Sequence, residues 1–239
     1  MAFEILKPEW GAKRPIRGVL FDMDGVVLDT ETLFSRFWVE ACQFYGYPMT
    51  REQSLGMRSL SKTAGQAQLE HYFGPGIHYN EVRAKRIELM SAHIAEHGVT
   101  PKPGIYELMD YLQSNGISTA ITSSSPTDRI RDYLTPLNLY HRFDKICSGH
   151  EVPNGKPAPD IYLHGAAVLG LCPEECLALE DSPAGILSAY RAGCLPVIIP
   201  DQDESSEETL ARSYAKADTL SDIISSFHTI FKLNYLSSI

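Results

Sequence analysis

Four polar clusters stand where apolar runs end. The run Ile16 to Phe21 stops in Asp22-Met23-Asp24-Gly25, and Ser118 to Thr122 runs into Ser123-Ser124-Ser125. A later loop reads Gly155-Lys156-Pro157, and Cys176 to Leu179 stops in Glu180-Asp181. Together they offer carboxylates, hydroxyls and an ammonium. Carboxylates gathered in one small cavity require a cation, and the arrangement costs too much to serve stability alone. A hard, oxygen-only ligand set with room for water favours Mg²⁺ over zinc, because no Cys or His sits at these strand ends. Taken singly, Asp22 and Asp24 fit an Asx-turn, Ser125 a helix cap ahead of Pro126, and Lys156 a surface lysine.

The clusters meet only if the runs that carry them lie side by side. In an open parallel sheet, ligands bind beyond the carboxyl ends of the strands. Strands are expected at Ile16 to Phe21, Ser118 to Thr122, Lys145 to Cys147, Cys176 to Leu179 and Leu195 to Ile199. They alternate with helical patterns at Ile105 to Ser114, Asp128 to Leu134, Asp160 to Leu169 and Pro183 to Ala192. That alternation predicts an α/β fold with a doubly wound parallel sheet. Between Glu31 and about Thr100 only helical patterning appears. It starts from an Asp29 or Thr30 cap and runs to about Tyr45 with Gly46 as a stop, then continues over Thr50 to Leu55, Ser61 to Phe73 and Tyr79 to His97. This block reads as a small helical domain inserted after the first strand: core 1–31, insert 32–101, core 102–239. The first dozen residues show no regular pattern, and the acidic stretch Asp201 to Glu208 reads as a solvated loop or helix start.

The 239 residues carry 21 basic and 30 acidic side chains, a net charge of −9. No broad cationic surface is available for nucleic acid or an anionic membrane. With 44% hydrophobic and 10% aromatic residues, the chain can bury a sizeable core. No apolar run is long enough to span a bilayer and the N-terminal stretch is not signal-like, so a cytoplasmic protein is expected, with no obligate protein partner evident. Five cysteines do not form a disulfide framework, and the lone Cys172-x₃-Cys176 lacks a second ligand pair for a metal.

The segments Phe21-Asp22-Met23-Asp24-Gly25-Val26-Val27-Leu28-Asp29-Thr30, Ser123, Gly155-Lys156-Pro157-Ala158-Pro159-Asp160 and Leu179-Glu180-Asp181-Ser182-Pro183-Ala184-Gly185 together resemble the haloacid dehalogenase-like superfamily. The helical block resembles the small cap of its subgroup containing β-phosphoglucomutases and phosphoglycolate or sugar-phosphate phosphatases. Dehalogenases of that superfamily lack the second motif aspartate, so Asp24 implies phosphoryl transfer. The resemblance implies Asp22 as the nucleophile that forms an aspartyl phosphate, and Asp24 as the acid that protonates the leaving alcohol and later the base for water. It implies that Ser123 and Lys156 bind the transferring phosphoryl group, aided by Met23, Gly25 and Ser124 at the turns. Mg²⁺ would be held by Asp22, the Asp24 carbonyl and Asp181, with Glu180 a direct ligand or one shell removed. Asp160 is expected to anchor its loop or cap the next helix.

Substrate choice in this architecture is expected to rest on the cap, where the Leu55-Gly56-Met57-Arg58-Ser59 turn and Lys62 are candidate contacts; solvated cations are the equal alternative. His71, His78, His93 and His97 show no ligand spacing. β-Phosphoglucomutases carry a histidine where this chain has Phe34, and a lysine and asparagine where it has Pro126 and Thr127. The expected activity is therefore a Mg²⁺-dependent phosphatase acting on a small phosphorylated metabolite. A sugar-phosphate mutase is the alternative, and a non-catalytic phosphometabolite sensor is the third choice.

Overall fold

Burial on both faces selects the strands. The computed structural model describes residues 3–10, 15–58, 60, 62–201 and 205–226. Its strands are β1 (Phe3–Ile5), β2 (Gly18–Phe21), β3 (Ser118–Ser123), β4 (Lys145–Ser148), β5 (Cys176–Glu180), β6 (Leu195–Ile198) and β7 (Ala215–Ala217). They form one sheet in the order β1-β7-β6-β5-β2-β3-β4. Every neighbouring pair is parallel except the β1–β7 edge. Strands β2 and β5 lie in the middle and are buried at every residue, which is why they read as continuous apolar runs. The five expected strands are present, and Ile16, though buried, precedes the first ladder residue.

Two short strands at one side of the sheet were not expected, the edge strand β1 and its neighbour β7. Phe3–Ile5 pairs antiparallel with Ala215–Ala217, and Leu6 and Lys7 donate to the Tyr214 carbonyl. The N-terminal stretch therefore holds regular structure, because a three-residue strand is too short to leave a periodic signal. The acidic stretch leads into a short helix, Glu207–Ala211, whose Ser206 caps the Thr209 amide.

Two compact units divide the chain: Met1–Leu28 with Pro101–Ile239, and Asp29–Thr100. The second contains α1 (Glu31–Phe44), α2 (Arg51–Leu55), α3 (Lys62–Phe73) and α4 (Tyr79–His97). Trp38, Ala41, Cys42, Met49, Met57, Leu69, Ile77, Tyr79 and Val82 make its core. Thr50 and Gln53 close a reciprocal capping box at α2, and the Ser35 and Ser54 hydroxyls meet at 2.6 Å to join α1 to α2. Thr30 precedes α1 as expected, but its side chain makes no capping bond; Asp29 instead accepts from the Thr32 hydroxyl at 2.8 Å.

The sheet unit adds α5 (Ile105–Ser114), α6 (Thr127–Leu134), α7 (Asp160–Val168), α8 (Pro183–Ala192) and α9 (Glu207–Ala211). Helix α7 packs on β2, β3 and β4, and α8 packs on β5 and β6. The register aligns Leu20 with Ala120 and Ala178, and this row meets Ile161, Tyr162 and Ala166 of α7. Small alanines flanking Leu20 leave room for the helix to approach the sheet.

Candidate active site

Strand alternation explains which side chains gather. Asp22, Thr122 and Glu180 each stand two residues beyond the Leu20, Ala120 and Ala178 row, so they project from the same face toward α7. The Asp22 amide donates to the Leu179 carbonyl at 3.0 Å, extending the parallel pairing of β2 with β5 one residue past the strand. The chain then turns. Val27 and Leu28 donate to the Met23 carbonyl, Gly25 donates to Leu28, and Gly25 takes φ +83°, a conformation that disfavours a side chain. A Cβ at Gly25 would also strike the Asp181 carboxylate, so Asp181 lies directly against this turn.

Lys156 is held from below. Asn154 donates to Asp160 at 3.0 Å, Ala158 to the Gly155 carbonyl at 3.0 Å, and Ser188 of α8 to the Ala158 carbonyl at 2.5 Å. Asp160 is thus the loop anchor, while Pro159 occupies the helix-capping position. The loop delivers the Lys156 Nζ to Asp22 Oδ1 at 2.5 Å and to Glu180 Oε1 at 2.6 Å. Glu180 is fully buried, and its other oxygen accepts from the Ser182 hydroxyl at 3.1 Å. Tyr162 donates to Glu180 Oε1 at 2.6 Å.

Burial pushes the Asp22 carboxyl well above the usual carboxylate range; Lys156 pulls it back down, and Glu180 and Asp24 push it up again. For Lys156, burial lowers the ammonium's affinity for its proton, but Asp22 and Glu180 more than reverse this and hold it charged. The Lys156 ammonium is thus the neighbour that favours the ionised form of Asp22, against burial and the two carboxylates.

Asp22, Glu180 and Asp181 each offer a carboxylate oxygen within 4.8 Å of the others. This all-oxygen set, without thiolate or imidazole, fits a hard divalent cation better than zinc. Glu180 belongs to it by proximity, while its hydrogen bonds tie it to Lys156, Tyr162 and Ser182.

At the end of β3, Ser123 is buried and its oxygen accepts the Ser125 amide at 3.1 Å, whereas Ser124 is exposed. Ser125 departs from the sequence expectation. Pro126, not Ser125, precedes α6, without a side-chain cap, and the Ser125 hydroxyl donates to Asp24 Oδ2 at 3.3 Å. Met23 and Gly25 are buried within the turn. Sequence reasoning missed Ser125 as Asp24's partner and missed Tyr162 altogether; an aromatic in an apolar helix reads as core.

Arg58 and Lys62 lie in the Asp29–Thr100 unit. Arg58 Nε pairs with Glu31 Oε2 at 2.8 Å, both side chains largely buried, so its charge is already countered. Lys62 is exposed at the start of α3, and Ser59 lies outside the described residues. Phe34 carries the Arg86 guanidinium 4.7 Å above its ring. All five cysteines are free, and His93 lies tilted against the rings of Phe37 and His97.

Residues 19–199 match the family model of haloacid dehalogenase-like hydrolases. The chain belongs to this family. Hexitol phosphatase A of Escherichia coli K12 is 34% identical over 74% of this chain and 80% of its own length. A Drosophila melanogaster protein described as "Probable pseudouridine-5'-phosphatase" is 33% identical over 82% of this chain and 87% of its own. Among solved structures, CbbY from Rhodobacter sphaeroides in complex with phosphate aligns with TM-score 0.64 and 27% identity, covering 80% of this chain and 90% of that one. The haloacid dehalogenase-like core thus accounts for the sheet, and the four polar clusters fall at its carboxyl edge. No helix among the described residues is long and apolar enough to cross a membrane.

Proposed function

We propose that this protein is a Mg²⁺-dependent phosphatase that hydrolyses a small phosphomonoester, a sugar phosphate or similar metabolite, through an aspartyl phosphate. The observation that carries this is the Lys156 ammonium bridging Asp22 and Glu180, with Asp181 and Asp24 beside them. The named phosphatases among the relatives support the same reaction class.

An oxygen of Asp22 attacks phosphorus as the bond from phosphorus to the ester oxygen breaks, and the leaving alkoxide takes the proton held by Asp24. Water then attacks the aspartyl phosphate and gives a proton to Asp24, which releases phosphate and restores both carboxyls. Lys156 offsets negative charge on Asp22 and on the phosphoryl oxygens, while the Ser123 hydroxyl and the turn amides near Met23 and Ser124 orient them and Gly25, its own amide bound to Leu28, shapes the turn. Asp22, Asp181 and the Asp24 carbonyl would hold Mg²⁺, with Glu180 adding negative charge from its buried place; the ion supplies charge neutralisation for the phosphoryl group. Ser125 keeps Asp24 aimed. The Asp29–Thr100 unit is taken as the cap on which substrate choice rests.

The test is phosphate release from a panel of sugar phosphates, phosphoglycolate and nucleoside monophosphates, with Mg²⁺ and with EDTA, alongside Asp22→Asn. Mg²⁺-dependent release lost in Asp22→Asn is expected. Isomerised sugar phosphate without net phosphate would replace the hydrolase with a mutase.

A further inference from the structure

We propose that Tyr162 is a positioning residue that acts through Glu180 to fix the Lys156 ammonium against Asp22. The inference rests on the phosphatase assignment for its kinetic consequence and on geometry alone for its structural one.

Glu180 Oε1 accepts two hydrogen bonds, from Lys156 at 2.6 Å and from the Tyr162 phenol at 2.6 Å. Its second oxygen is engaged by Ser182. A fully buried carboxylate held by donors on both oxygens has little freedom to rotate. The phenol is itself fixed, because Tyr162 is fully buried at the third residue of α7 and that helix packs on β2, β3 and β4. Its ring also lies under the ammonium, 5.1 Å from Nζ to centroid.

Any acceptor would satisfy a tyrosine buried only for packing. Here the acceptor is the carboxylate that also binds the lysine, so the phenol sets the oxygen to which Nζ must point. Without it, Lys156 is the remaining donor to Oε1, and the ammonium is drawn inward to Glu180 and away from Asp22. The position of the charge that offsets Asp22 is therefore set from α7, a helix that contributes no group to the reaction itself.

Tyr162→Phe removes the donor and keeps the ring. The expected result is kcat lowered about tenfold with KM nearly unchanged, and no further loss when Tyr162→Phe is added to Glu180→Gln. A crystal structure of Tyr162→Phe should show Nζ displaced from Asp22 Oδ1. Unchanged kcat in an active enzyme overturns the proposal, as do equal losses in the wild-type and Glu180→Gln backgrounds. If the wild type releases no phosphate from any ester, the phosphatase assignment fails, and the crystal structure alone decides: Nζ in its original place refutes the positioning role. Should Tyr162→Phe not fold, 4-fluorophenylalanine at position 162 fills the hydroxyl's volume without a donor and is judged by the same outcomes.

Discussion

Gly185 sits in the first turn of α8, where ordinary helix propensity favours alanine by about 1 kcal/mol. The structure reverses that sign. A Cβ at this position would lie under 3.0 Å from the carboxylate carbon and both oxygens of Glu180. The carboxylate would have to retreat by about 1.5 Å to reach ordinary contact. A displacement of that size breaks the bonds from Lys156 and Tyr162, both 2.6 Å long. Hydrogen bonds to charged groups contribute roughly 1.5–3 kcal/mol each, and an unpaired buried charge adds its own penalty. Gly185→Ala is therefore expected to destabilise the fold by about 3–5 kcal/mol. It should also slow phosphate release on the order of a hundredfold, the scale set by misplacing a catalytic group by about 1 Å. Urea unfolding followed by circular dichroism measures the first effect and steady-state kinetics the second. A Gly185→Ala protein at least as stable as wild type, with activity within threefold, would show that Glu180 is not confined as described.

Three further outcomes are expected. Asp24→Ala should give a burst of about one nitrophenolate per chain from p-nitrophenyl phosphate and then slow by about 10²–10⁴-fold, because a good leaving group needs no acid whereas water still needs a base; steady turnover at the wild-type rate would remove Asp24 from proton transfer. Arg58→Ala removes the guanidinium paired with a largely buried Glu31 and should cost about 1–2 kcal/mol in urea unfolding, between the ranges for exposed and buried pairs; no change would mean that the pair is energetically silent. Cys42, Cys147, Cys176 and Cys194 are buried and Cys172 is half-buried, so Ellman's reagent should reach Cys172 first; burial pushes the Cys42 and Cys176 thiols up to about 12 and Cys147 to about 11, each from 9.0. Because folding raises these pKa values, the unfolded thiols lose protons first; their contribution is complete below about pH 9 and is lost between about 9 and 12. A melting temperature that stays level across that range would contradict the burial of these thiols.

The central strands and the clusters that end them were legible because burial on both faces writes itself as an apolar run and a polar stop. Phe3–Ile5 and Ala215–Ala217 were not, since three residues carry no period and an alanine-lysine-alanine strand has weak β preference. Asp22, Lys156, Glu180 and Asp181 could be named from order and residue type. Their partners could not: Tyr162 looks like any apolar helix residue, Ser125 stands beside a proline where a cap is the simpler assignment, and the Arg58–Glu31 pair joins residues 27 apart in sequence. Such pairings depend on register and helix placement, which sequence spacing does not encode.

At the boundary of the two units, Leu28 and Pro101 form an antiparallel bridge, flanked by Asp29 N–H to the Thr100 carbonyl at 2.8 Å and Lys102 N–H to the Val27 carbonyl at 2.9 Å. The outgoing and returning chains thus share one hydrogen-bonded doorway. For β2 and β3, the whole intervening segment is a closed excursion whose length adds only logarithmically to the entropy of pairing them. A lineage could lengthen, shorten or exchange that excursion while the strands kept their register. The excursion and the carboxylate-bearing strand ends would then be heritable separately, the one varying without disturbing the other.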